Sequence, residues 1–125
     1  MTELIFLADL PIELTNGNDG RGGRWFSSAN MRKKIEKTLR MIGMDRSKLE
    51  PFPPGVTLTL TRVIGKGGRL WDSDSIGRGN AKELIDALVA LGWFIDDGPK
   101  WIVETRYRQI VDRKKIPCVL VEITK

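Results

Sequence analysis

The chain contains no histidine and only one cysteine among its 125 residues. Without imidazole there is no Ser/His/Asp or Cys/His nucleophile pair, no histidine general base and no zinc site with a nitrogen ligand. A single thiol makes no disulfide within the chain, and Cys118, between Pro117 and Val119 in an apolar run, reads as a buried, inert side chain. Long hydrophobic stretches are also missing: the longest, residues 87–95, is nine residues, too short to cross a bilayer, so no membrane partner is expected. The amino terminus lacks both a basic leader and a small-residue cleavage site, which makes the cytoplasm the expected compartment. Any chemistry must rest on carboxylates and lysines.

A composition of 41% hydrophobic and 30% charged residues is that of a globular protein, and the length suits one domain over residues 1–125. A chain of this size buries about two-thirds of its unfolded surface without metal or disulfide staples. Lys and Arg number 21 against 16 Asp and Glu, a net charge of +5 that biases encounters toward polyanions, nucleic acid first.

Residues 3–10 are apolar and of strand length. A glycine-rich loop follows over 15–24, with no nucleotide fingerprint, although Arg21 and Arg24 could touch a DNA backbone. A Ser27-Ser28 cap opens a helix to about Ile42, with Met31, Ile35, Thr38, Leu39 and Ile42 on one face and Gly43 ending it. Its other face carries Arg32, Lys33, Lys34, Lys37 and Arg40 against Glu36, either a solvated surface or one that tracks phosphates. Val56, Leu58 and Leu60 alternate with Thr57, Thr59 and Thr61, the period of a half-buried strand, which runs on through Ile64 into a loop bearing Lys66 and Arg69. A second helix carries Ala81, Leu84, Ile85, Leu88 and Leu91 on one face and ends at Gly92. Two strands, about 101–109 and 116–124, flank the polar turn 112–115. The order β-α-β-α-β-β predicts an α+β fold, two helices packed on one small mixed sheet.

The densest chemistry lies at residues 71–79, where Asp72 and Asp74 follow a strand and precede a helix. In extended chain the two carboxylates share a face, and with a third they suit a hard divalent cation, Mg²⁺ or Mn²⁺. Asp96 and Asp97, directly after the second helix, are the available third acid. That helix separates the two groups by about 17 Å at 1.5 Å per residue, so the segment after it must double back. The same acids also suit structural roles, as helix caps and turn formers. An EF-hand reading of Asp72, Asp74, Gly77 and Glu83 fails because Ile76 stands where an oxygen ligand belongs and no entering helix precedes it.

Asp72-Ser73-Asp74, Lys82, residues 84–88 (Leu-Ile-Asp-Ala-Leu), residues 92–97 (Gly-Trp-Phe-Ile-Asp-Asp) and Pro99-Lys100-Trp101 together resemble the RusA family of Holliday junction resolvases, particularly its phage-borne members. The likeness covers about residues 70–101 and lies in the combination of these motifs. It implies that Asp72, Asp74 and Asp97 are the metal-binding catalytic carboxylates, with Lys82 as accessory lysine and Asp86 and Asp96 structural; Asp86 stands four residues after Lys82, within pairing reach on a helix. The family has asparagine after the second aspartate, where this chain has Ser75. In its shortest members the lysine stands four residues after that aspartate; here that place holds Arg78, and Lys82 stands at eight. A glycine-containing insertion at 77–79 accounts for both, leaving Lys82 or Arg78 as the basic partner.

The resemblance further implies a Mg²⁺-dependent (or Mn²⁺-dependent) endonuclease, a symmetric homodimer that nicks four-way DNA junctions in pairs, associated with the nucleoid and encoded by a phage or prophage. One or two metals per site are both compatible with three aspartates. Phosphate contacts are expected from Arg32, Lys33, Lys37, Lys66, Arg69, Arg78 and Lys100, with Arg106 and Arg108 beside them. Trp71 is placed either to stack on an unpaired base or to pack, while Trp93, Phe94 and Trp101 are expected to close the core beneath the acids. Two other readings are a nuclease of looser preference for branched DNA and a catalytically inactive basic DNA-binding module.

Overall fold

The computed structural model describes residues 2–14, 28–65 and 80–125. Its elements run β1 (Leu4–Leu10), α1 (Ser28–Met41), β2 (Val56–Ile64), α2 (Ala81–Ala90), β3 (Ile102–Val111) and β4 (Cys118–Thr124). Among the described residues the fold is α+β, two helices with a four-stranded mixed sheet in the order β1-β4-β2-β3. β4 lies antiparallel to both β1 and β2, and β2 runs parallel to β3. A parallel pair cannot be joined by a tight turn, and the crossover between β2 and β3 carries α2.

The alternation of β2 puts Val56, Leu58 and Leu60 into the core with Val119, Val121 and Ile123 of β4. The helices close that face: α1 contributes Ile35 and Leu39, α2 contributes Leu84, Ile85 and Leu88, and the two helices pack together. Beneath the end of α2 lies an aromatic cluster. Trp93 is fully buried, its ring 5.0 Å from Phe6 and 5.9 Å from Phe52, and its indole N–H donates to the Met44 carbonyl at 2.8 Å. Phe94 is buried beside Phe52, whereas Trp101 is only half-buried. The Arg46 guanidinium lies 4.2 Å from the Phe52 ring centre.

Both helices stop in the same way. Gly43 and Gly92 each adopt φ +80°, and the amides of Gly43 and Met44 reach back to Arg40 and Leu39, as those of Gly92 and Trp93 do to Val89 and Leu88. This is the glycine-terminated Schellman closure, which satisfies the last helical carbonyls.

Several element ends differ from the sequence expectation. Ile42 falls beyond α1 and is exposed, because the chain turns away at Gly43 before the apolar face can continue. β3 runs two residues further than 109, since Ile110 and Val111 pair with Val63 and Ile64. β4 begins at Cys118, which leaves Ile116 86% exposed in the preceding turn. Cys118 is half-buried, and burial pushes its thiol pKa up. The serine cap expected at Ser27 lies outside the described residues.

Candidate active site at the amino-terminal end of α2

β2 ends at Ile64 and α2 begins at Ala81; between them fall Asp72 and Asp74, together with Lys66, Arg69, Trp71 and Arg78, all outside the described residues. The N-cap position of α2 is held by Asn80, six residues after Asp74 in sequence. Asn80 itself makes no capping hydrogen bond. Its buried side-chain amide donates to the Glu13 carbonyl at 3.1 Å, which ties the start of α2 to the chain leaving β1.

Lys82 sits in the first turn of α2, at the start of a helix whose amide dipoles favour negative charge there. After Gly92 the chain doubles back along the helix, so that Asp97 returns to this same end. The Lys82 ammonium donates to Asp97 Oδ2 at 2.7 Å and to Asp86 Oδ1 at 2.9 Å. The climb of α2, about 15 Å over its 10 residues, is thus undone by the return segment 92–97, as the sequence required for Asp97 to rejoin its start.

The paired acids Asp96 and Asp97 divide their roles. Asp96 Oδ1 accepts the Asp97 backbone N–H at 2.8 Å, a local turn bond. Asp97 turns its own carboxylate to Lys82 and stays 36% exposed, open to a ligand from solvent. The hydrogen bond from Lys82 holds Asp97 below the usual carboxylate range, against a smaller opposing effect of desolvation. Hydrogen bonds that Lys82 donates to Asp97 and then to Asp86 hold it above the ordinary lysine range. At neutral pH both groups are charged.

Two neighbours of this end went unmarked in the sequence. Tyr107, half-buried on β3, lies near enough to feel Lys82: burial raises its pKa and the ammonium opposes the rise. Arg62, buried on the helix-facing side of β2, donates to Gln109 Oε1 at 3.0 Å, and its burial lowers its pKa while Glu13 opposes this. The signal for Arg62 was present, because it falls in the apolar phase of Val56, Leu58, Leu60 and Ile64.

The expected phosphate contacts are dispersed. Arg32 and Arg40 flank Glu36 at 3.2 and 3.4 Å, while Lys33 and Lys37 are exposed along α1. Lys100 lies over the Trp101 ring at 5.0 Å. Arg106 and Arg108 alternate with Tyr107 on β3 and therefore point to the sheet face opposite α2, away from Asp97.

No protein-family model matches the chain, and no curated protein matches it either. Among the described residues, no group of three or more Asp, Glu, Cys or His side chains gathers to hold a metal ion. Of the acids expected to bind one, Asp97 alone is described. Its chemistry fits: an ionised, accessible oxygen donor that already has a cationic group, the Lys82 ammonium, against one oxygen.

Proposed function

We propose that the protein is a divalent-metal-dependent, structure-specific DNA endonuclease that resolves four-way junctions by paired, symmetric nicks. The observation that carries this reading is the 2.7 Å contact between Asp97 and Lys82 at the start of α2, directly after the segment bearing Asp72 and Asp74. Asp97 and Lys82 stand 15 residues apart in sequence, and a pair of turn-forming aspartates has no need to meet that lysine.

In this reading Asp72, Asp74 and Asp97 would hold Mg²⁺ or Mn²⁺ through oxygen. The ion, when bound, would lower the pKa of a coordinated water and stabilise charge at the attacked phosphate. Asp97 contributes an ionised carboxylate, and the hydrogen bond from Lys82 further favours its charged form. Lys82 contributes a fixed positive charge at the place where the anionic phosphate approaches. The net charge of +5, with Lys33 and Lys37 exposed on α1, draws the DNA backbone toward a site that would otherwise repel it. In a symmetric homodimer, two such sites would face the two strands of a junction and give paired nicks.

Cleavage of an end-labelled four-way junction and of a linear duplex with the same arm sequence, in Mg²⁺ or EDTA, tests the proposal. The expected result is metal-dependent nicks at symmetric positions in the junction alone, abolished by Asp74→Asn. Equal cutting of both DNAs would replace it with a less selective nuclease. Junction binding without cutting would replace it with a binding module.

A further inference from the structure

Lys82 spends two of its three N–H donors on two carboxylates of different standing: Asp97, a proposed metal ligand, and Asp86, one helical turn further along α2 and outside the proposed ligand set. We propose that Asp86 is a positioning residue that holds the Lys82 ammonium at the metal site and keeps it from claiming Asp97 outright. This rests on the metal-site reading above.

An ammonium against Asp97 Oδ2 and a divalent cation on that carboxylate compete for the same negative charge, so cation binding must loosen the Lys82 contact. With Asp86 in place the ammonium keeps a partner 2.9 Å away when it gives up Asp97, and it stays at the start of α2. Without Asp86, Asp97 is the sole carboxylate of the pair still available to Lys82. The lysine then holds Asp97 more tightly, and cation binding leaves an uncompensated positive charge beside the ion. Asp86 is suited to this because helix geometry fixes it: residues four apart on α2 lie on one face, whatever the segment at 92–97 does. The Lys82 side chain is 62% exposed, so burial does little to set its direction.

The test is Mn²⁺ affinity, measured on the full chain without DNA by counting free Mn²⁺ by electron paramagnetic resonance. Asp86→Asn is made alone and in a Lys82→Met background. Through-space loss of one carboxylate charge weakens binding by roughly threefold in either background. The positioning role adds roughly another threefold or more only where Lys82 is present. Lys82→Met alone is expected to tighten binding, and Asp86→Glu, which keeps the acceptor, to stay within about twofold of wild type. Equal weakening by Asp86→Asn in both backgrounds would overturn the positioning role and leave the metal site standing. Wild type and Asp97→Asn binding Mn²⁺ equally, or neither binding it, would overturn the metal site and the positioning role with it.

Discussion

Replacing Gly92 by alanine tests whether the return of the chain to Lys82 is built on the close fit of one glycine. Gly92 has φ +80°, and a Cβ there would lie 2.7 Å from Ser47 Cα and 3.0 Å from the Arg46 carbonyl oxygen, both backbone atoms. That neighbouring turn is itself pinned: the Arg46 amide donates to the Leu91 carbonyl at 2.9 Å, and Asp45 Oδ1 accepts the Ser47 amide at 2.9 Å. Gly43 is the internal control, with the same φ of +80° and nothing within 4 Å of its would-be Cβ. Left-handed backbone costs an alanine about 1–2 kcal/mol at either site. Overpacking against fixed backbone adds about 1–3 kcal/mol at Gly92 alone. Gly43→Ala should therefore lose about 1–2 kcal/mol and Gly92→Ala about 2–5 kcal/mol, a gap worth about 1 M in urea midpoint at ordinary m-values. Urea unfolding of both variants and the wild type, followed by tryptophan fluorescence, measures it. Equal losses at the two sites would refute the argument, showing that the turn at 45–47 yields to the new methyl group.

Three further outcomes are expected. Trp93→Phe keeps most of the aromatic packing but removes the donor to the Met44 carbonyl, and should cost about 1–3 kcal/mol in the same urea assay. The stability difference between wild type and Lys82→Met depends on pH at both extremes. Asp97 has a lowered pKa, so its contribution is present above about pH 3.9 and is lost as the pH falls through its folded value. Lys82 has a raised pKa, so its contribution is present below about pH 10.4 and is lost as the pH rises through its folded value. Urea midpoints should therefore differ by a constant amount between about pH 5 and 9 and converge beyond, and the difference should stay below about 1 kcal/mol because the pair is exposed. Asp96→Asn should unfold within about 0.5 kcal/mol of wild type, since its amide oxygen can still accept the Asp97 N–H; a larger loss of urea midpoint would show a further role for its charge.

Local signals carried the elements well. The Val/Leu against Thr alternation of β2 and the apolar spacing of α2 each name the face turned to the core, because a period of 2 or 3.6 is written directly in sequence, but β2 is not the half-buried strand that its threonines suggest: Thr59, Thr61 and Val63 on its other face are buried too. Gly43 and Gly92 mark both helix ends for the same reason. Ile42 and Ile116 misled, as apolar residues adjoining an element whose backbone had already turned away. The sheet order β1-β4-β2-β3 was beyond local reading, because it pairs the first strand with the last. The site divides along the same line. The Lys82–Asp86 pair follows from helical spacing, whereas Lys82 meets Asp97 only because the Schellman turn at Gly92 reverses the chain. Tyr107 and Arg62 reach this end of the molecule through the parallel pairing of β2 with β3.

The most direct test of the account sets the two adjacent acids against each other. Mg²⁺-dependent nicking of a four-way junction is measured for Asp96→Asn and Asp97→Asn at saturating Mg²⁺, with folding of each variant checked by urea unfolding. Asp96→Asn should cut within about threefold of wild type, as expected of a turn residue, and Asp97→Asn should lose at least about a hundredfold, as expected for a ligand to the ion that activates water. Folded Asp97→Asn that cuts as wild type does would contradict the assignment of this carboxylate to the site.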